Sequence, residues 1–188
     1  TFAGAQKTTR ITAGNAASTL YGITLSNAGN DFDTLALTGM NVSVRDKNAL
    51  NLDASTIGGN FSVQTAGDMD NTGAISVAGT TTLTATQVVG GMNIADIDLS
   101  AANDFSGAVS VTSARNLSLK DVNALAVTAQ ISGNMSATSG GALSLGALSV
   151  GGAAQFKADG ATLGRTQCAS GGVDQTIQTQ LGCFENSE

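Results

Sequence analysis

Three Asp-x-Asp pairs offer the most reactive chemistry in this chain: Asp31 and Asp33 in "NDFDT", Asp68 and Asp70 in "GDMDN", and Asp96 and Asp98 in "ADIDLS". Residues two apart share one face of an extended strand. A carboxylate pair so placed can work as general acid and base, or supply oxygen ligands to Ca²⁺. In "ADIDLS" the alternation turns Ile97 and Leu99 inward and both aspartates outward, so either use is geometrically open. The plainer expectation is a solvated face whose charge discourages edge-to-edge aggregation. The Gly-rich Ca²⁺-binding nonapeptide is not present. The chain has no His, which rules out His-based nucleophilic catalysis and leaves zinc sites of the usual His/Cys kind without ligands. No catalytic residue, metal ligand or cofactor is assigned.

Other residue groups carry weaker signals. Arg45-Asp46 and Lys120-Asp121 recur at equivalent places just after a short strand, and the expected role is a local ion pair in a turn rather than a ligand-binding row. Exposed pairs of that kind contribute about 0–1 kcal/mol. Asn41, Asn60, Asn116 and Asn134 each open an N-x-S sequon. "N-apolar-S-apolar" is also what a strand pattern produces by itself, so modification is the lesser reading. Thr82, Thr84 and Thr86 in "TTTLTATQ" line one outward face, but one row in one copy is not an ice-binding array. Cys168 and Cys183 are the only cysteines, and they lie in a tail of different composition. An even count in an extracellular chain reads as a disulfide; closing that loop would contribute about 3 kcal/mol.

What would position these groups is a repeat. "NDFDTLALTGMNVSVRDKNAL" from Asn30 returns as "NDFSGAVSVTSARNLSLKDVNAL" from Asn103, and the match extends through "IGGNFSV" and "ISGNMSA" to "GAISVAGTTTL" and "GALSVGGAAQF", at an offset of about 74 residues. Within each copy, alternating triplets such as "VSV", "LNL", "FSV" and "LSL" recur every few residues between Gly, Asn, Asp, Ser and Thr. Period-two alternation signals strands, and no window has helical spacing. The Asn-led strands recur at about 19 residues, which predicts an all-β, right-handed parallel β-helix, a β-solenoid of about three short strands per ~19-residue coil. About ten coils would make a rod of roughly 45–50 Å.

The composition agrees with that architecture. Trp and Pro are absent, while Gly reaches 24. A thin aliphatic core has no room for Trp, Pro would remove a ladder donor, and corners that need positive φ call for Gly. The four asparagines are expected at one corner, in the left-handed conformation, with amides stacked into a ladder. Residues 1–160 form the expected shaft, with two ~74-residue repeats, and residues 161–188 a C-terminal cap or tail closed by the expected disulfide.

The "NDF…VSV" units followed by "SGN" and "GALSVGG", over about residues 20 to 160, resemble the repeats of filamentous-haemagglutinin-type exoproteins of the two-partner secretion pathway. The resemblance implies a right-handed β-helical shaft on a bacterial cell surface, serving adhesion, biofilm cohesion or display. Some two-partner adhesins resemble this chain in keeping a cysteine-closed C-terminal loop that tethers them to the outer-membrane pore. "TFAGAQKTTR" has no apolar signal region, as expected of a chain that is mature after processing or cut from a larger one.

A net charge of −6 speaks against phosphate-backbone binding, so no nucleic acid is expected. No apolar run is long enough for membrane insertion. The function expected is a non-enzymatic segment of a secreted or surface-exposed adhesin or fibre, located extracellularly or on the bacterial surface. The alternatives are a filament subunit that stacks head to tail and, below it, a carbohydrate-active β-helix enzyme. Candidate partners are other copies of the chain, an outer-membrane secretion pore, and a cell-surface glycan or protein.

Overall fold

In the computed structural model, which describes residues 7–159 and 163–165, the chain winds as a parallel β-solenoid of about seven turns with no helix among the described residues. A ten-stranded sheet holds β1 (Thr8–Thr12), β3 (Thr34–Gly39), β5 (Leu50–Leu52), β6 (Ser55–Ile57), β8 (Met69–Asn71), β9 (Ile75–Val77), β13 (Ile97–Phe105), β15 (Leu117–Asp121), β17 (Met135–Ser139) and β19 (Ala154–Ala158). An eight-stranded sheet holds β2 (Ile23–Leu25), β4 (Val42–Asp46), β7 (Phe61–Thr65), β10 (Thr81–Ala85), β14 (Val109–Ala114), β16 (Leu125–Ile131), β18 (Leu143–Val150) and β20 (Leu163–Arg165). A separate antiparallel hairpin pairs β11 (Val88–Val89) with β12 (Met92–Asn93).

Each inward position stacks on its equivalent one coil away. Val42 pairs with Phe61, Phe61 with Thr81, Thr81 with Val109, and Val109 with Val127. A coil cannot bury its apolar side chains alone, whereas stacking at ~4.8 Å closes a continuous core and satisfies the ladder. The core is aliphatic apart from inserted phenylalanines such as Phe61 and Phe105, both nearly inaccessible. At ~4.8 Å per turn, seven turns make a rod of about 34 Å, shorter than ten coils would. The difference arises because coils are not uniform: Ile97 stacks on Met69, and Thr34 on Thr8, across longer excursions than the 19 residues from Val42 to Phe61.

The tandem repeat and the coil are out of phase. Val42 and Val109 are three coils apart on one sheet, yet the sequence equivalent of Val42 is Leu117, one strand further along. Every element therefore changes sheet between copies. β4, β7 and β10 belong to the eight-stranded sheet, and their counterparts β15, β17 and β19 to the ten-stranded one. Conversely β3, β5, β6, β8 and β9 of the ten-stranded sheet correspond to β14, β16 and β18 of the other.

This phase shift corrects one expectation. Asn41 and Asn60 open strands of the eight-stranded sheet, whereas Asn116 and Asn134 open strands of the ten-stranded sheet, so the four divide between two corners. Nor are they left-handed: among the described non-glycine residues, Ser18 alone has positive φ. The corner glycines also serve a different need. Gly107 would place a Cβ 2.3 Å from the carbonyl oxygen of Gly79 one coil away, so the missing side chain is what lets successive corners approach. Positive φ belongs to Gly90 and Gly91, at the hairpin tip.

Candidate functional site

The repeated polar residues are mostly consumed in holding coils together. Asp46 is buried and accepts hydrogen bonds from the backbone N–H of Phe32 (2.8 Å) and of Asn48 (3.0 Å). Asp121 repeats the arrangement with Phe105 (2.7 Å) and Asn123 (2.6 Å). Asn30 and Asn103 complete the two knots. The Asn30 side chain donates to the carbonyls of Leu25 (2.9 Å) and Arg45 (3.1 Å), and that of Asn103 to Leu99 (2.9 Å) and Lys120 (3.3 Å). The twice-written "NDF" and "RD" or "KD" segments thus meet across adjacent coils.

The turn ion pairs expected at Arg45-Asp46 and Lys120-Asp121 are replaced by these knots. Alternation turns Arg45 and Lys120 out to solvent and both aspartates inward, where, among the described residues, backbone N–H groups are the donors that reach them. Burial pushes the Asp121 carboxyl above the ordinary carboxylate range, against the pull of the two N–H donors. Lys47, not Arg45, makes an ion pair beside this turn, with Asp31 at 2.7 Å. The hydrogen bonds from Lys47 and Asn48 lower the Asp31 pKa.

The corner asparagines do not stack amide on amide. Asn41 Oδ1 accepts from the backbone N–H of Asn60 (2.9 Å), and Asn60 Oδ1 from that of Thr80 (3.0 Å). At the second corner, Asp68 Oδ1 accepts from Asp96 N–H, Asp96 Oδ1 from Asn116 N–H, Asn116 Oδ1 from Asn134 N–H, and Asn134 Oδ1 from Ala153 N–H, at 2.8–3.0 Å. A side-chain oxygen bridging to the next coil satisfies a corner donor that no strand partner reaches. Asp and Asn are interchangeable in that role, because each supplies the same acceptor.

This second corner gathers the charge. Asp98 stacks directly on Asp70, while Asp96 sits one coil above Asp68, so two of the Asp-x-Asp pairs form a square of four carboxylates on one outward surface. Arg115 is the cation that meets it, bonding Asp96 through Nε (2.8 Å) and Nη2. The guanidinium holds the Asp96 carboxyl below its usual range. Asp70 goes the other way: desolvation, then the charges of Asp98, Asp68 and Asp96, raise its pKa. Beyond the square, a shallow groove of about 360 Å³ runs past Asp98, Ser118, Ser136 and Gln155. No group of three or more potential metal ligands converges among the described residues.

Beside the acidic square stands the hairpin, which the strand reading passed over although "VVGGMN" carries the signal in its Gly-Gly turn. It leaves the rod between β10 and β13. Its tip exposes Val88 (63%), Val89 (55%) and Met92 (70%), while Asn93 fixes its base. Asn93 Oδ1 accepts from Gln87 and Ala95 N–H, and its Nδ2 donates to the carbonyl of Ala85 and to Ser113 Oγ. Of the threonine row, Thr84 is tied to Thr112 in the next coil at 2.7 Å. Asp33 is exposed. Cys168, Cys183 and the expected cap lie outside the described residues.

Residues 3–38, 39–112 and 114–176 match a family described as repeats of unknown function (DUF5649). The chain belongs to that repeat family. The second and third DUF5649 units begin just ahead of β4 and β15, the strands that correspond across the phase shift. One family unit therefore spans three coils and one further strand. No curated protein and no solved structure matches the chain.

Proposed function

We propose that this chain is a non-enzymatic shaft segment of a secreted or surface-exposed bacterial fibre, of the kind its resemblance to filamentous-haemagglutinin-type exoproteins implies. The supporting observation is the use made of the repeated polar residues. Asp46, Asp121, Asn30 and Asn103, together with the corner residues Asn41, Asn60, Asp68, Asp96, Asn116 and Asn134, bond backbone groups across coils. What the repeat preserves is the means of stacking coils, which serves reach and stiffness.

The test is surface labelling of the bacterium that makes the protein, with an antibody against the purified rod. Immunogold decoration of intact cells, with the antigen removed by external protease, is the expected result. Signal that needs permeabilised cells would overturn the reading. Negative-stain images of the purified chain across a concentration series separate a shaft, which stays as short rods, from a subunit that builds long filaments.

A further inference from the structure

The repeat places a second hairpin-like excursion at the position equivalent to Val88–Asn93. Between β1 and β2 the chain turns back through an antiparallel bridge, Gly14 to Leu20, and Asn15 Oδ1 caps the turn by accepting from Ala17 and Thr19 N–H. The two frames correspond, since β1 matches β10 and β2 matches the start of β13, but the tips do not. The first reads "NAAST", small and polar, and the second "VVGGM", apolar and exposed. Because each repeat changes sheet, the first excursion leaves the rod where the ten-stranded sheet passes to the eight-stranded one, and the second at the reverse passage. The shaft is repeated while its projections differ in chemistry and direction.

We infer that the Val88–Met92 tip is a recognition knob for a partner protein that offers an apolar socket rimmed by Lys and Arg. Val89 faces Met92 across the hairpin and Val88 projects from its other side, so three exposed apolar side chains stand on a projection held by four bonds to Asn93, pre-organised to insert, and such exposed apolar surface marks an interaction site. The corner from which the knob leaves the rod closes with Asp96, which stands one coil above Asp68, and Asp98 on Asp70 follows two residues along; among the described cations Arg115 meets these four carboxylates, so the rim that meets this corner must be positive. A second copy fits poorly. The described cations are spread from Lys7 to Arg165 along the chain, Arg10, Lys47, Arg115 and Lys157 already hold carboxylates, and two acidic squares would repel. The inference holds whether or not the rod is secreted.

The test replaces Val89 with benzoylphenylalanine in the full chain, expressed in the cells that make it, and maps the photoproduct by mass spectrometry. The expected product joins position 89 to another protein, at an apolar segment flanked by Lys or Arg. Its yield should fall at least tenfold in V88S/M92S and severalfold in D70N/D98N, with circular dichroism unchanged and Tm not lowered. Placed at Thr128, an exposed site in a later coil, the photoprobe should not give this product. A product with this chain itself, with lipid or with an acidic segment would overturn the inference, as would no product above the Thr128 control.

Discussion

At the residue scale, the buried aspartates and the exposed acidic square have opposite consequences. Removing the Asp46 carboxylate strands the N–H groups of Phe32 and Asn48, and removing that of Asp121 strands those of Phe105 and Asn123. Each of D46A and D121A should lower unfolding stability by about 1–3 kcal/mol, measured by urea denaturation at neutral pH. Arg45→Ala and Lys120→Ala, whose side chains face solvent, should change it by no more than about 0.5 kcal/mol. Asp70 is the reverse case. Its folded pKa is raised, so the folded state holds the proton more tightly than the unfolded chain does, and stability falls as pH climbs through the folded value. D70N should therefore stabilise the rod at pH 7, by about 0.2–1 kcal/mol for one like-charge cross-strand pair. The gain should vanish below the ordinary carboxylate pKa, where Asp70 is protonated in both states. A pH series of thermal melts checks it, and a gain that persists in acid would mean that charge is not the cause.

At the element scale, corners and hairpins use glycine for different reasons, and substitution separates them. A Cβ at Gly107 meets the backbone of Gly79 and Thr80 one coil away, which neither side can vacate without opening the stack. G107A should cost about 1–3 kcal/mol as overpacking and loosen hydrogen-exchange protection in β10 and β14 on either side. Gly90 has φ near +60° and open space around it. G90A should cost about 1–2 kcal/mol of backbone strain, confined to the hairpin. If exchange in β10 and β14 were disturbed equally by both variants, the corner-approach argument would fail.

At the scale of the whole molecule, nearest-neighbour stacking makes stability approximately additive along the rod. Deleting the coil from Phe61 through Thr80 joins Asn60 to Thr81 and lets β4, β5 and β6 stack on β10 and the two halves of β13, keeping inward positions in register. That variant should fold, with a urea m-value lower by about one part in seven, since one of about seven turns is gone. A deletion half a coil longer should not fold cooperatively, because it would set a corner against a strand.

Much of this was legible in the residues. Alternating triplets between Gly and Asn could only be short strands, and their recurrence could only be satisfied by stacking, because a three-residue strand has no core of its own. The two-fold repetition of "NDF" with "RD" or "KD" marked residues that act together. How they act was hidden: Asp46 sits beside Arg45 in the chain, but its partners are backbone groups on both sides of a coil boundary, Phe32 from the preceding coil and Asn48 from its own turn. The four asparagines looked equivalent because the sequence repeats at about 74 residues, and they part company because three coils close before that distance is used up. Local composition determined that the chain would coil. The number of residues each coil absorbs, set by hairpins and close-packed corners, decided which faces its repeated residues share, and only the folded stack brings Asp68, Asp70, Asp96 and Asp98 together beside an exposed apolar tip.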